Sequence, residues 1–154
     1  MPQVQNIEEA REWIDKPVGN SDWLQITQEQ VNQFADTTRD HQFIHVDQDR
    51  AARETPFGGT IAHGFLTLSL LSHLGVQADT LGIAGTRMKI NYGLDKVRFL
   101  NPVRVGARIR AHFELAGIEE KRPGQYLIKH RVTVEIEGQD KPAMIAEWLG
   151  LSVT

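Results

Sequence analysis

The chain has 154 residues, 40% of them hydrophobic and 24% charged, which suits one globular domain with one substantial core. A net charge of -3 without a dense lysine–arginine cluster leaves no basic footprint for nucleic acid. Cysteine is absent, which excludes disulfides, thiol catalysis and cysteine-ligated metals.

Taken in order, Asn6 with Glu9 forms a capping-box pattern, and Ile7, Ala10 and Ile14 follow at helical spacing. Pro17 ends that short helix. Trp23, Leu24 and Ile26 predict an extended strand. Thr27 with Gln30 is a second capping box, and Val31, Phe34, Ala35 and Thr38 lie on one helical face. This second helix is expected to end at about Thr38 or Arg39.

Asp40 and His45 come next. Five helical residues turn through about 140° net, so a continuing helix would hold these side chains apart. A break into a loop after Thr38 lets them converge, and Phe43-Ile44 suits such a break. Asp47, Asp49 and Ala51-Ala52 predict a short helix with acids at its positive end. Asp47 reads as its N-cap. Pro56 to Thr60 is a turn-rich loop.

Ile61 to Leu74 is apolar on nearly every side and predicts one buried central helix, capped by Gly75. The run from Phe65 to Leu74 is interrupted by Ser72 and His73, too short and too polar to span a bilayer. The N-terminus is acidic and does not resemble a signal peptide. The expected setting is cytoplasmic, away from the membrane.

From about residue 84 the period becomes two. Ala107, Ile109, Ala111, Phe113 and Leu115 alternate with Arg108, Arg110, His112 and Glu114. Tyr126 to Ile136 alternates in the same way, which places His130 on the apolar face, where a buried imidazole needs a partner. A last strand runs from about Ala143 to Val153. Such alternation marks antiparallel strands with one buried face. Helices followed by long strands predict an α+β domain, an antiparallel sheet wrapped around the central helix, over residues 1–154. A sheet of this kind has open edges, and pairing with a second copy closes them, so a homodimer is expected.

The elements Asp40-His-Gln-Phe-Ile-His45-Val-Asp47 and Ile61-Ala-His63-Gly64 resemble the MaoC-like (R)-specific enoyl-CoA hydratase family, which has the hot-dog fold. The resemblance extends through Tyr92 to Phe99 and Pro102 to Gly106. Gln42-Phe43 stands where the family has Asn-Pro, and Arg39 stands where glycine is common; the form is similar to a NodN-like branch.

The resemblance implies a hydro-lyase that adds water to trans-2-enoyl-CoA and gives (R)-3-hydroxyacyl-CoA. Asp40 and His45 would be the catalytic pair, and the Gly64 backbone N–H an oxyanion donor. Ser72 and Phe65 would line the acyl site. Arg98, with Arg87, Lys89, Lys96 and Arg104, is a candidate partner for the coenzyme phosphates. His63 reads as a structural residue that hydrogen-bonds the loop or helix start. The family needs neither a metal nor a cofactor beyond the coenzyme A that the substrate carries. The alternatives are a 3-hydroxyacyl-ACP dehydratase and a non-catalytic thioester-binding subunit of a heterodimeric dehydratase.

Overall fold

The computed structural model describes residues 3–154. The first part is mainly short helices: β1 (Gln3–Val4), α1 (Ile7–Arg11), β2 (Pro17–Asn20), β3 (Leu24–Gln25), α2 (Gln28–Thr38), α3 (Phe43–Val46), α4 (Gln48–Glu54), α5 (Gly64–Ser69) and α6 (Leu71–Gln77). The second part is mainly strand: β4 (Gly82–Ile83), β5 (Met88–Phe99), β6 (Arg108–Arg122), β7 (Gln125–Ile136) and β8 (Met144–Val153). The main sheet has the order β2-β6-β7-β8-β5, with β3 also paired to β6, and β1 pairs with β4 in a separate ribbon. All pairs in the main sheet are antiparallel. Its concave face wraps α5 and α6.

Local chemistry sets most of the boundaries. The Asn6 and Thr27 side chains accept from the N–H groups of Glu9 and Gln30, closing the first turns of α1 and α2. In β6, Ile109, Ala111, Phe113 and Leu115 are buried. Between them, Arg108, Arg110, His112 and Glu114 face outward and pair with acids or bases on β7 or just past its end. Leu71 and Leu74 close the same core from the helix side.

The central rod departs from its sequence reading in three ways. Ile61 does not begin the helix; it bridges to Arg104, and the helix starts at Gly64. The rod is two segments joined at Leu70. Gly75 lies inside α6 rather than capping it, because the Trp148 ring would stand 3.3 Å from a Cβ there. Nor is the rod buried on every side: Phe65 is 68% and Val76 81% exposed. The sheet covers one face of the rod only. Among the described residues no helix is long and apolar enough to cross a membrane.

Candidate active site

The site is built where α2 stops. Arg39 adopts left-handed backbone (φ 63) and turns the chain off the helical path just after Thr38. Asp40 follows in the loop. Phe43 to Val46, expected as loop, forms one helical turn instead, and that turn carries His45. Asp47 then caps α4 by accepting from the Arg50 N–H.

This path brings Asp40 and His45 together with His63. A carboxylate oxygen of Asp40 and one ring nitrogen from each histidine lie within 4.8 Å of one another. His45 is 7% and His63 3% exposed, while the Asp40 side chain is 52% exposed. The pair therefore has a dry imidazole and a solvent-reaching acid.

His45 Nδ1 donates to the Ile61 carbonyl at 2.7 Å. That bond fixes the tautomer and leaves Nε2 with a free lone pair. Burial pushes the His45 pKa below its ordinary 6.5. The Ile61 hydrogen bond opposes this, nearby His63 adds to it, and Asp40 opposes it weakly. The result is an imidazole that is neutral and basic near pH 7.

Three residues that sequence reasoning did not single out hold this turn. Gln28 Nε2 donates to the His45 carbonyl at 2.8 Å. The Thr60 hydroxyl bridges the Gln28 and Gln48 amides at 2.5 and 2.8 Å. Gln48 also accepts from the Thr60 N–H. His63 Nε2 donates to the Asp40 carbonyl at 3.0 Å, and its ring stacks on His45 and tilts against Phe34. The two histidines each spend one nitrogen on a backbone carbonyl and lie face to face, a poor arrangement for converging on an ion.

A cavity of about 270 Å³ opens beside His45, lined by Phe57, Ile61, Gly64, Thr67 and Phe99 among others. Gly64 begins α5, where first-turn N–H groups lack helical partners. The side on which Gly64 lacks a Cβ is filled by the Phe99 ring, at 3.0 Å. Phe65 packs edge-on against Phe99 at 5.9 Å. Ser72 lies outside this cavity, further along the rod. Arg98 is exposed on β5 and donates to the Val97 carbonyl, also outside the cavity.

Residues 9–139 match the family model of the MaoC like domain. The chain is 55% identical over 130 residues to 3-hydroxyacyl-thioester dehydratase Z of Mycobacterium tuberculosis, covering 84% of each chain. It is 48% identical over 139 residues to Nodulation protein N of Rhizobium meliloti, covering 90% of this chain and 86% of that one. Among solved structures it is similar to the (R)-hydratase from A. caviae involved in PHA biosynthesis, with TM-score 0.69 and 26% identity, covering 86% of this chain and 94% of that one. The chain belongs to the MaoC-like dehydratase family, as a hydro-lyase on the hot-dog fold.

Proposed function

We propose that this protein reversibly hydrates trans-2-enoyl thioesters to (R)-3-hydroxyacyl thioesters, with coenzyme A as the carrier. The observation that carries the reading is the Asp40 carboxylate and the buried, neutral His45 imidazole within one water's reach, beside a cavity headed by Gly64. One water can bridge two polar atoms that far apart.

Asp40 and His45 hold that water between them. His45 Nε2 takes its proton as the hydroxyl bonds to C3, and the pair returns a proton to C2. Water is thus added across the double bond with nothing left over. General acid–base help of this kind is worth about 10²- to 10⁴-fold. Charge builds on the thioester oxygen during addition. In this proposal the Gly64 backbone N–H, in the first turn of α5, donates to it. The reaction needs no cofactor besides the coenzyme A of the substrate.

The protein works as a homodimer in this proposal. β5 is the terminal strand of the main sheet, and Met88, Ile90, Tyr92 and Leu94 on it are exposed apolar residues. A long apolar edge of this kind is closed by pairing with a second copy.

The test is hydration of crotonyl-CoA and crotonyl-ACP by wild type, Asp40→Asn and His45→Gln. Wild type is expected to prefer the CoA ester and yield the (R)-alcohol. Each variant, folded normally, is expected to lose at least about 10²-fold in kcat. Variants hydrating at the wild-type rate would refute the mechanism, and preference for the ACP ester would refute the carrier.

A further inference from the structure

A larger cavity, about 480 Å³, lies between the end of α6 and the concave face of the sheet. It shares no lining residue with the His45 cavity. A groove lined by Leu68, Tyr92 and Leu94 lies between them and shares Ser72, Asn91 and Trp148 with the larger cavity. The three lie in order along the rod. Moving from Gly64 and Thr67 through Leu68 to Ser72 and Val76 on the rod, the facing residues on β5 run from Phe99 through Leu94 to Ile90 and Lys89. From Gly64 to Gly75 the rod rises roughly 16 Å. Ser72, where the larger cavity begins, stands roughly 12 Å along this rise, the reach of an extended chain of roughly ten carbons in which each C–C bond of about 1.5 Å advances about 1.25 Å along the axis.

The far end of this row is not built for hydrocarbon alone. His130 lies half-buried in the wall of the cavity, edge-on to Phe113 at 6.2 Å. No hydrogen bond to either ring nitrogen occurs among the described residues, and neither nitrogen is fully buried. Burial holds its pKa down to about 4, with Lys89 adding to the effect, so the ring is neutral and offers one donor and one acceptor. Ser152, 3% exposed, and Asn91, which accepts from Trp148 Nε1 at 3.0 Å, line the same space. An imidazole that faces the cavity with no protein partner keeps its donor and acceptor available to a ligand, and leucine or phenylalanine would suit a plain alkyl tail better.

We propose that this cavity receives the distal end of the substrate's acyl chain and that His130 hydrogen-bonds an uncharged oxygen, a hydroxyl or keto group, carried there. The inference rests on the hydratase reading above. It makes His130 a specificity residue for medium-chain, terminally oxygenated enoyl thioesters. Lys89 and Asp79 both line the cavity and offset one another, which favours a neutral oxygen over a carboxylate.

The test compares kcat/KM for trans-2-decenoyl-CoA with that for its 10-hydroxy derivative. Wild type is expected to prefer the hydroxylated ester by about tenfold or more, since a site that hydrogen-bonds a substrate oxygen discriminates against the analogue lacking it. His130→Phe should bring the ratio to one or below. His130→Gln, which keeps a donor and an acceptor, should retain the preference, and serves if the phenylalanine variant does not fold. Calorimetric titration with 10-hydroxydecanoate and decanoate reads the same preference without turnover. Crotonyl-CoA hydrated with no preference between the two longer esters overturns this inference alone. Crotonyl-CoA untouched, with the hydroxy acid still bound more tightly, overturns the hydratase reading and leaves the pocket standing. Decanoate bound as tightly as its hydroxylated form overturns the pocket whatever the turnover.

Discussion

The His63 imidazole lies face to face on that of His45, with ring centroids 3.8 Å apart and planes 23° apart. Its Nε2 at the same time holds the Asp40 carbonyl. One buried ring thus touches both halves of the proposed pair, and its own Nδ1 is buried without a partner among the described residues. This makes His63 a positioning residue. His63→Phe keeps the stack and drops the hydrogen bond, while His63→Gln keeps a donor and drops the stack. Each is expected to lower kcat on crotonyl-CoA by about 10- to 10²-fold with KM within about twofold, as misplacement of a reacting group does. Both variants at wild-type kcat would remove His63 from the mechanism.

The same neighbourhood sets the pH dependence. Burial, reinforced by His63, lowers the His45 pKa below 6.5. The acidic limb of kcat/KM is therefore expected below pH 6.5, since it reports the base in the free enzyme. Asp40 raises this pKa. In Asp40→Asn the residual activity should persist to lower pH, its limb displaced downward. A limb that moves upward, measured across about pH 4.5 to 8, would show that another group is the base.

What the sequence disclosed and what it hid follow from range. Thr27, Asn6 and Asp47 cap their helices by bonds three residues long, and the alternation in β6 and β7 is a nearest-neighbour pattern; both can be read along the chain. The break after Thr38 was legible because Asp40 and His45 cannot converge on a continuing helix. Gly75 was misread as a cap because its reason is Trp148, distant in sequence. The Gln28, Gln48 and Thr60 network was hidden for the same reason, since amides and hydroxyls carry no spacing signal until folding brings them together. Whether His63 touched the loop or only the helix start was likewise undecidable before its bond to Asp40 could be seen.

Gly64 faces Phe99 so closely that an added Cβ would meet three ring atoms at 3.0 to 3.1 Å. Phe99 is 48% exposed and can swing, but it also lines the His45 cavity. Gly64→Ala keeps the backbone donor. It is expected to lower kcat/KM by about tenfold or more, with a loss of stability within about 1 to 3 kcal/mol, the range of overpacking. Phe99→Leu added to Gly64→Ala should return part of the activity, and the double-mutant cycle measures the coupling. Additive losses would show that the ring is not the obstacle.

Arg39 holds a left-handed backbone at φ 63, which glycine adopts freely and other residues reach at a penalty. It is the residue at which α2 turns into the Asp40 loop. Arg39→Gly is expected to stabilise the fold by about 0.5 to 1 kcal/mol, the relief of strain less the entropy glycine adds to the unfolded chain. Arg39→Val should destabilise it, because a β-branched residue is least tolerant there. Urea unfolding of the three proteins decides the matter, and a valine variant as stable as wild type would exclude strain at this turn.

His130 makes a prediction independent of substrate. Its pKa falls from the ordinary 6.5 to about 4 in the folded chain, chiefly through burial, with Lys89 contributing. The unfolded chain therefore binds a proton at a higher pH than the folded one. Stability from this group is fully present above about pH 6.5 and is lost as pH falls towards 4. Between pH 7 and pH 5 that loss is about 2 kcal/mol for a shift of this size. His130→Gln cannot take up the proton, so its urea midpoint should fall less over the same interval. The lowered His45 contributes with the same sign to both proteins and cancels in the comparison. Parallel stability curves for wild type and His130→Gln would mean that the ring is hydrated well enough to charge freely, and that the far cavity is wet rather than waiting for a ligand oxygen.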